Sequence, residues 1–445
     1  MKTMAVRLYG KNDIRLEEFE LPPLKDNEIL ARVVSDSICM SSYKAANQGS
    51  DHKRVPDNAA EKPIIIGHEF CGEIIEVGKK WQEKYTAGSR FSIQPAMNYK
   101  GSLDAPGYSY RYIGGDATYI IIPNEVMEMD CLLEYRGNSF FMGSLSEPMS
   151  CIVGAFRANY HVPQGSYEHI MGIREGGKML IIAGAGPMGL GCIDLALNGD
   201  RRPALLIISD IDGARLSRAA RIHSVESAQK NGIELHYVNT ADTDDPLSFL
   251  KQFSGEDGFD DIFVMAPVSS LVEDADMLLA KDGCMNFFAG PSNKSFSASI
   301  NFYHMHYSFH HYVGTSGGNT EDMRIALKLM EEGRIQPQAL ITHIGGLNAV
   351  VETTLNLPKI PGGKKLIYTH KKLALTALID FEKKGQNDPL FAELHRITRQ
   401  NNDMWSGEAE DYLLKHAPNI APAQQAARSP LREESAAVFH RNTRG

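Results

Sequence analysis

Residues 178–197 read KMLIIAGAGPMGLGCIDLAL, and this stretch decides how the middle of the chain folds. A short aliphatic run, residues 179–183, is typical of a strand that is buried on both faces of a parallel sheet. It leads into a turn of the form GxGxxG, which opens a helix-like segment. Such a turn brings free backbone N–H groups and the positive end of a helix dipole to a pyrophosphate. The stretch therefore predicts the first strand, turn and helix of a dinucleotide-binding domain.

The next apolar run, residues 204–209, ends at Asp210. A carboxylate at the tip of the second strand accepts hydrogen bonds from ribose hydroxyls and repels a 2′-phosphate, which favours NAD. Arg215 offers a nearby cation, so NADP stays open, although a solvent-facing helix charge is the simpler interpretation. A purely structural glycine turn is the weaker alternative, because a strand and a helix both flank the motif. The predicted cofactor-binding residues are Gly184, Gly186, Pro187, Met188, Gly189, Asp210 and Arg215.

The composition bounds the kind of protein. The chain has 445 residues, a formal net charge of −9 and six scattered cysteines. The length predicts two or three domains, and the negative charge gives no reason to expect nucleic acid or a membrane as a partner. The absence of any CxxC pair argues for a reducing compartment, and the sequence has no apolar leader or membrane-spanning run. We therefore expect a cytoplasmic protein.

Short strands separated by glycine and proline predict a β-rich domain before residue 150. Within it, Cys39, His68 and Glu69 are all zinc-ligand types, and three protein ligands with an open position mark a catalytic zinc site. Neighbours on a regular strand face opposite ways, so His68 and Glu69 reach one metal only if the backbone turns at Gly67. Otherwise one is a ligand and the other supports it. A buried cysteine and a hydrogen-bonded core histidine explain these residues equally well.

Five motifs occur in an order that resembles the medium-chain zinc-dependent alcohol and polyol dehydrogenases. They are CMS at 39–41, GHE at 67–69, GGDATY at 114–119, EP at 147–148 and the glycine turn. The resemblance covers roughly residues 1–370 and implies an α/β protein, in which a Rossmann doubly wound parallel sheet is inserted into a β-rich, GroES-like catalytic domain. In the polyol branch, glutamates stand near the metal in place of cysteines. The resemblance therefore implies one catalytic zinc with Cys39, His68, Glu69 and Glu147 as ligands.

The chain also departs from the family pattern. Residues 94–112 contain no cysteine where many members hold a structural zinc, so we predict no structural zinc. Ser42 stands where the family usually has an acid, and Lys44 where it often has a histidine. Ser41 keeps the hydroxyl that the family places against the substrate oxygen. The resemblance implies Ser41, Glu69 and Lys44 as catalytic residues, with Ser41 relaying the proton and Glu69 shuttling it or tuning the metal.

The domain limits follow from the motifs and from changes in composition. We predict a first catalytic part at 1–149, a Rossmann domain at 150–315, a return segment at 316–372, a helical extension at 373–417 and a disordered tail at 418–445. A helix is expected to begin at Glu147, and residues 163–177 read as an inserted loop. Within the extension, the predicted helices are residues 373–381, 389–399 and 408–414.

The resemblance implies an oxidoreductase that uses zinc and NAD or NADP and transfers hydride at a secondary carbinol. The extension is similar to that of sugar-phosphate members, which implies a ketose phosphate and a polyol phosphate, with L-sorbose 1-phosphate and D-glucitol 6-phosphate as the expected pair. Lys44, Lys100 and Arg111 are candidate cations for the phosphate. The alternatives are a dehydrogenase of an unphosphorylated polyol or threonine-like alcohol, and a non-catalytic dinucleotide-binding protein. A homo-oligomer, either dimer or tetramer, is also expected.

Overall fold

The central sheet has six strands. All of them are parallel, as the glycine-turn stretch predicts. The structure is a computed structural model that describes residues 1–420. Numbered along the chain, the six strands lie in the order 3-2-1-4-5-6, which is that of the Rossmann fold. From edge to edge they are Glu234–Asn239, Leu205–Asp210, Lys178–Ile182, Phe259–Val264, Leu279–Phe287 and His311–Gly314.

The β-rich part contains a second sheet, whose strands come from both sides of the Rossmann segment. Strand Lys364–Tyr368 pairs antiparallel with strand Ile29–Ile38, so the catalytic part is discontinuous and the predicted insertion is confirmed. In spatial order the sheet contains Thr376–Ala377, Ile341–Gly346, Lys364–Tyr368, Ile29–Ile38, Phe70–Val77, Arg90–Ile93 and Leu132–Glu134, with Tyr119–Ile122 also paired to Ile29–Ile38. A smaller sheet contains Asp13–Glu20, Lys2–Gly10 and Ile64–Ile65.

Helices cover both sheets. In the described residues the α-helices are Met40–Gln48, Asn124–Glu128, Phe140–Ala158, Pro187–Asn198, Gly213–Ile222, Val225–Lys230, Pro246–Ser254, Ser269–Leu278, Phe302–Tyr307, Thr320–Glu331, Val350–Asn356, Phe381–Gly385, Pro389–Gln400 and Gly407–His416. Across residues 1–420, no helix combines the length and the apolar character that a membrane crossing needs.

Helix Phe140–Ala158 joins the two parts, and we call it the linker helix. It begins before Glu147, where the sequence predicts a helix start, so that predicted start is wrong. The helix continues through Pro148, and most of its residues are buried. The predicted limit between residues 149 and 150 therefore falls inside a continuous helix. Beyond it, residues 160–171 form the hairpin Tyr160–His161 and Ile170–Met171, which includes much of the predicted inserted loop.

The extension after residue 372 packs on the catalytic part. Helices Pro389–Gln400 and Gly407–His416 confirm two of the three helices predicted there. The prediction of a helix at residues 373–381 is wrong, because Thr376–Ala377 pairs with the edge of the catalytic sheet and satisfies its backbone there. Residues 418–420 are hydrogen-bonded to the backbone of residues 370–372, whereas 421–445 of the predicted disordered tail lie outside the described residues.

Candidate active site

The structure brings Cys39, His68 and Glu69 together. One ligand atom from each side chain lies within 4.8 Å of the other two. Gly67 has φ of +90°, which L-residues rarely adopt, and so supplies the turn that lets the neighbours His68 and Glu69 face one point. A Cβ at Gly67 would stand 2.6 Å from the backbone nitrogen of Asp116, which also requires glycine there. The backbone turn that the sequence demanded is therefore present.

Two paired strands hold this cluster in place. Strand Ile29–Ile38 ends next to Cys39, and strand Phe70–Val77 begins next to Glu69. The antiparallel register places Asp36 opposite the first residue of the second strand, so the two strand ends meet side by side. Rigid elements of the catalytic sheet therefore set the positions of the three side chains.

The chemistry of the three donors fits zinc. A thiolate, an imidazole and a carboxylate are ligands of catalytic zinc ions that have three protein ligands and an open position. His68 and Glu69 are buried and Cys39 is half-buried, so the cluster is largely shielded from solvent. In residues 1–420 this is the one group of three or more such side chains that could hold a metal.

Hydroxyl groups surround the ring of His68. The Ser42 hydroxyl lies 3.2 Å from Nδ1, while the hydroxyls of Ser41 and Tyr108 each lie 3.2 Å from Nε2. Burial lowers the pKa of His68, which favours the neutral ring that binds metals. Ser42 therefore orients the ring of His68, the predicted metal ligand, from the position where the family usually has an acid. Ser41 also donates to Cys39 Sγ at 3.1 Å, so its hydroxyl lies at the centre of the cluster.

Glu69 is held by a cation that the sequence did not reveal. Lys364 Nζ donates to both carboxylate oxygens, at 2.6 Å to Oε2, and the Ser37 hydroxyl donates as well. Burial opposes ionisation, but the charge of Lys364 keeps the pKa of Glu69 below its usual range. Lys364 lies in the return segment, 295 residues away in sequence, and no local motif marks it. Glu69 is thus an ionised, tightly paired carboxylate.

Glu147 lies near this cluster without being part of it. It is buried in the middle of the linker helix, where the Cys151 thiol, one turn later, donates to its Oε1 at 3.8 Å. Burial and the nearby charge of Glu69 raise the pKa of Glu147 to about 7. The half-buried Cys151 is thus a hydrogen-bond partner of Glu147. The role of Glu147 as a fourth ligand stays a prediction.

The glycine turn has the geometry of a phosphate site. Gly186 is the N-cap of helix Pro187–Asn198, and Pro187 suits the first helical position because it lacks an N–H group. Gly189 packs so closely on the turn that a Cβ there would stand 2.0 Å from the carbonyl oxygen of Gly184. The helix N-terminus is therefore free to face an anion. Met188, the second residue of this helix, is half-buried at the same point.

Asp210 fixes the turn through its carboxylate. Its Oδ2 accepts a hydrogen bond from the Ala185 N–H at 3.1 Å, and its Oδ1 accepts from the N–H groups of Ile211 and Asp212. These three bonds leave acceptor capacity on the carboxylate, and the ribose contact predicted for Asp210 stays a prediction. Arg215 is exposed and pairs with Asp212 at 3.3 Å, which fits its interpretation as a solvent-facing helix charge.

The three predicted phosphate cations lie in different places. Lys44 Nζ donates to the carbonyl oxygen of Gly290 at 3.4 Å and so connects the catalytic part with the Rossmann part. Lys100 lies over its neighbour's ring, 4.8 Å from the centroid of Tyr99, and Arg111 likewise lies 5.2 Å from the centroid of Tyr112. Of the three, Lys44 alone bridges the two parts.

Comparison with known proteins identifies the family. Residues 25–130 match the model of the alcohol dehydrogenase GroES-like domain. The chain is 54% identical to L-sorbose 1-phosphate reductase of Klebsiella pneumoniae over 94% of its length and 98% of that protein. It is 49% identical to mannitol-1-phosphate 5-dehydrogenase of Aliivibrio fischeri over 93% of its length and 98% of that protein.

Solved structures show the same fold. The 2R,3R-butanediol dehydrogenase of Bacillus subtilis superposes with a TM-score of 0.65 at 21% identity, covering 82% of this chain and 99% of that one. An alcohol dehydrogenase of Thermotoga maritima gives a TM-score of 0.64 at 18% identity, covering 83% and 99%. The predicted fold and cofactor class are therefore confirmed. This chain belongs to the medium-chain zinc-type alcohol dehydrogenase family and is an NAD(P)-dependent oxidoreductase.

Proposed function

We propose that this enzyme interconverts a ketose phosphate and a polyol phosphate, with L-sorbose 1-phosphate and D-glucitol 6-phosphate as the pair. The observation that carries the proposal is the 54% identity to L-sorbose 1-phosphate reductase over 94% of the chain. A match over 94% of the chain leaves fewer residues outside it than the C-terminal extension contains, so the match includes at least part of that extension.

The zinc site in this proposal consists of Cys39 and His68, with Glu69 and Glu147 as the further ligands. When bound there, zinc supplies Lewis acidity, which polarises the substrate carbonyl and stabilises the alkoxide. Ser41 is the group of this chain that carries the proton, because its hydroxyl touches both Cys39 Sγ and His68 Nε2. Glu69 tunes the metal rather than carrying a proton, since Lys364 keeps it ionised.

The Rossmann part holds the nicotinamide cofactor in this proposal. The turn from Gly184 to Gly189 binds the pyrophosphate, and Asp210 favours NADH over NADPH. Lys44, which reaches Gly290, lies where the catalytic part meets the cofactor. A cytoplasmic location and a homo-oligomer also belong to the proposal; the former is supported by six free cysteines, and the latter by exposed aromatic side chains on helix Phe302–Tyr307 beside the edge strand His311–Gly314.

A reduction assay with purified, zinc-loaded enzyme tests the function. L-sorbose 1-phosphate and L-sorbose are each offered with NADH and with NADPH. We expect kcat/KM to be at least about tenfold higher for the phosphorylated ketose, equivalent to about 1.4 kcal/mol of binding to the phosphate. Turnover of the free ketose alone would instead favour the unphosphorylated-polyol alternative.

The matched variants Cys39→Ser and Cys131→Ser test the metal site. Cys39 is a proposed ligand, whereas Cys131 is a buried thiol outside the proposed ligand set that contacts Thr320. We expect Cys39→Ser alone to lose zinc, measured by metal analysis, together with activity. Equal zinc content in the two variants would contradict the proposed ligand set.

A further inference from the structure

We propose that Arg54 binds the phosphate group of the substrate, within a basic cluster that Lys44, Lys53 and Arg54 form beside the metal site. This inference rests on the proposed function and deepens it, because it names the side chain that recognises the phosphate. Nothing in the sequence motifs or in the ligand set of the family points to residue 54. Its placement relative to Tyr108 carries the argument.

Tyr108 connects Arg54 to the metal site. The Arg54 guanidinium lies 5.7 Å from the centroid of the Tyr108 ring, and the phenol hydroxyl of that ring lies 3.2 Å from His68 Nε2. The His52 ring stacks on the same phenol, with centroids 5.7 Å apart and planes inclined by 8°. Residues 52–54 therefore form a cover over Tyr108, one aromatic ring away from the atom that binds the metal.

Arg54 is held in position but keeps donors available. The Nη1 of Arg54 donates to the carbonyl oxygen of Leu103 at 3.0 Å. The backbone carbonyl oxygen of Arg54 accepts a hydrogen bond from the Ser109 hydroxyl, so both the side chain and the backbone of Arg54 are fixed. A guanidinium presents five N–H donors in a planar fork that matches phosphate oxygens. An arginine that is anchored through one donor loses little further side-chain entropy when its other donors bind an anion.

The positive charge of this cluster is not compensated. In residues 1–420, no carboxylate lies within 4.0 Å of the charged groups of Lys44, Lys53 or Arg54. Burial, and then the charges of Arg54, Lys53 and Lys44, lower the pKa of His52 to about 4. The three cations thus act on one point, and His52 is neutral at physiological pH. A dianionic phosphate placed there would offset two of the three positive charges of the cluster.

The geometry also separates Arg54 from the other cations near the cleft. Lys53 is exposed and Lys44 already donates to Gly290, so these two add to the field without a fixed direction towards the substrate. Arg111, on the same loop as Tyr108, is exposed and contacts Tyr112 instead. Arg111 is therefore not the phosphate cation in this proposal, and it offers a control in which an equal charge is removed from the loop that carries Tyr108.

The test compares Arg54→Gln, Arg54→Lys and Arg111→Gln in the zinc-loaded, full-length enzyme. Substrates are L-sorbose 1-phosphate and L-sorbose, and inorganic phosphate is the probe in competitive inhibition. Charge-assisted hydrogen bonds contribute about 1.5 to 3 kcal/mol, so we expect Arg54→Gln to raise KM for the phosphorylated ketose by about 10- to 100-fold. KM for the free ketose, kcat and the melting temperature should change little, and Arg111→Gln should resemble the wild type.

Two further readouts sharpen the test. Inhibition by inorganic phosphate should weaken in Arg54→Gln by a similar factor. The inhibition of Arg54→Lys should lie between that of the wild type and that of Arg54→Gln, because lysine keeps the charge but not the planar fork. An equal loss for both ketoses would mean that Arg54 supports the fold of the site, and would overturn the proposal. An Arg54→Gln enzyme that keeps the wild-type preference for the phosphorylated ketose would also overturn the proposal for Arg54, but it would leave the proposed function intact. A wild-type enzyme without that preference would refute the proposed function itself, and this inference with it.

Discussion

Two buried carboxylates are tied to the two ends of one strand, and they differ in charge environment. Glu69 meets Lys364, the first residue of strand Lys364–Tyr368, whereas Glu410 meets Tyr368, the last. Both side chains are about 1% exposed. Glu69 belongs to the cluster of Cys39, His68 and Glu69, and Glu410 belongs to the C-terminal extension, so a single strand contacts both regions.

The difference lies in what compensates each carboxylate. Glu69 faces the cation of Lys364, and its pKa is lowered despite its burial. Glu410 accepts hydrogen bonds from neutral donors, namely the N–H groups of Phe140 and Phe141 and the hydroxyl of Tyr368. Burial outweighs these bonds and raises the pKa of Glu410 to about 7. Three neutral donors therefore compensate the Glu410 carboxylate less than Lys364, His68 and the Ser37 hydroxyl together compensate that of Glu69.

The contacts of Glu410 also explain why the extension is part of the catalytic half. The Phe140 and Phe141 N–H groups belong to the first turn of the linker helix, so Glu410 supplies the cap that this helix lacks locally. The same helix carries Glu147 two turns later. Trp405 adds to the anchor, because its Nε1–H donates to the Tyr368 hydroxyl at 2.8 Å.

The largest effect is expected from Lys364→Met, which leaves Glu69 buried without its cation. Breaking one partner of a buried ion pair costs about 3 to 5 kcal/mol, because the remaining charge is uncompensated. We expect a loss of this size in the free energy of unfolding, measured by urea denaturation of the metal-free protein.

The double variant Glu69→Gln with Lys364→Met is the control for this prediction. Removing both charges leaves no unpaired ion, so we expect it to recover most of the stability that Lys364→Met loses. If the loss in unfolding free energy of the double variant equalled the sum of the losses of Glu69→Gln and Lys364→Met, the two charges would not stabilise each other.

A smaller effect, and one that depends on pH, is expected at Glu410. Its folded pKa of about 7 lies above the ordinary glutamate value of 4.5, so between these two pH values the folded state binds the proton and the unfolded state does not. This contribution is complete below pH 4.5 and is lost as the pH rises to about 7, at most about 3 kcal/mol in total.

Glu410→Gln should remove this pH dependence. The amide of glutamine cannot accept one of the two hydrogen bonds to the helix N-terminus, which lowers the unfolding free energy by an amount that does not depend on pH. The readout is therefore how the stability difference between wild type and variant changes with pH. The measurement is the difference in unfolding free energy between the wild type and the variant, from pH 4.5 to pH 8. A difference that does not change with pH would show that Glu410 is ionised throughout this range.

The sequence predicted the Rossmann part well because its signals are local. The strand, turn and helix at residues 178–197 each follow from neighbouring residues, and so does Asp210 at the next strand end. Cys39 and the GHE motif could also be found, since the resemblance supplied their common role. The three-residue cluster within 4.8 Å agrees with that expectation.

The sequence could not predict groups that meet across long distances in the chain. Lys364 is separated from Glu69 by 295 residues and Glu410 from Phe140 by 270, so no spacing or periodicity records either contact. The helix prediction for residues 373–381 was wrong for a related reason. Their local pattern suits a helix, but pairing with strand Ile341–Gly346 decides their structure. Arg54 lies in a basic tripeptide, HKR, which is ordinary on a protein surface and marked no site.

The smallest effect is expected from Tyr368→Phe, which removes one hydroxyl from the Glu410 anchor. The Trp405 Nε1–H and one oxygen of Glu410 would each lose a buried partner, and an unsatisfied buried polar group costs about 1 to 3 kcal/mol. The matched control is Tyr9→Phe, whose hydroxyl also donates to a glutamate, Glu17, but at a half-buried site where water can replace it. We expect urea denaturation to show a loss of about 1 to 3 kcal/mol for Tyr368→Phe and less than about 0.5 kcal/mol for Tyr9→Phe. Equal losses would mean that burial does not set the strength of the Glu410 anchor, and the contrast between the two ends of the strand would then rest on charge alone.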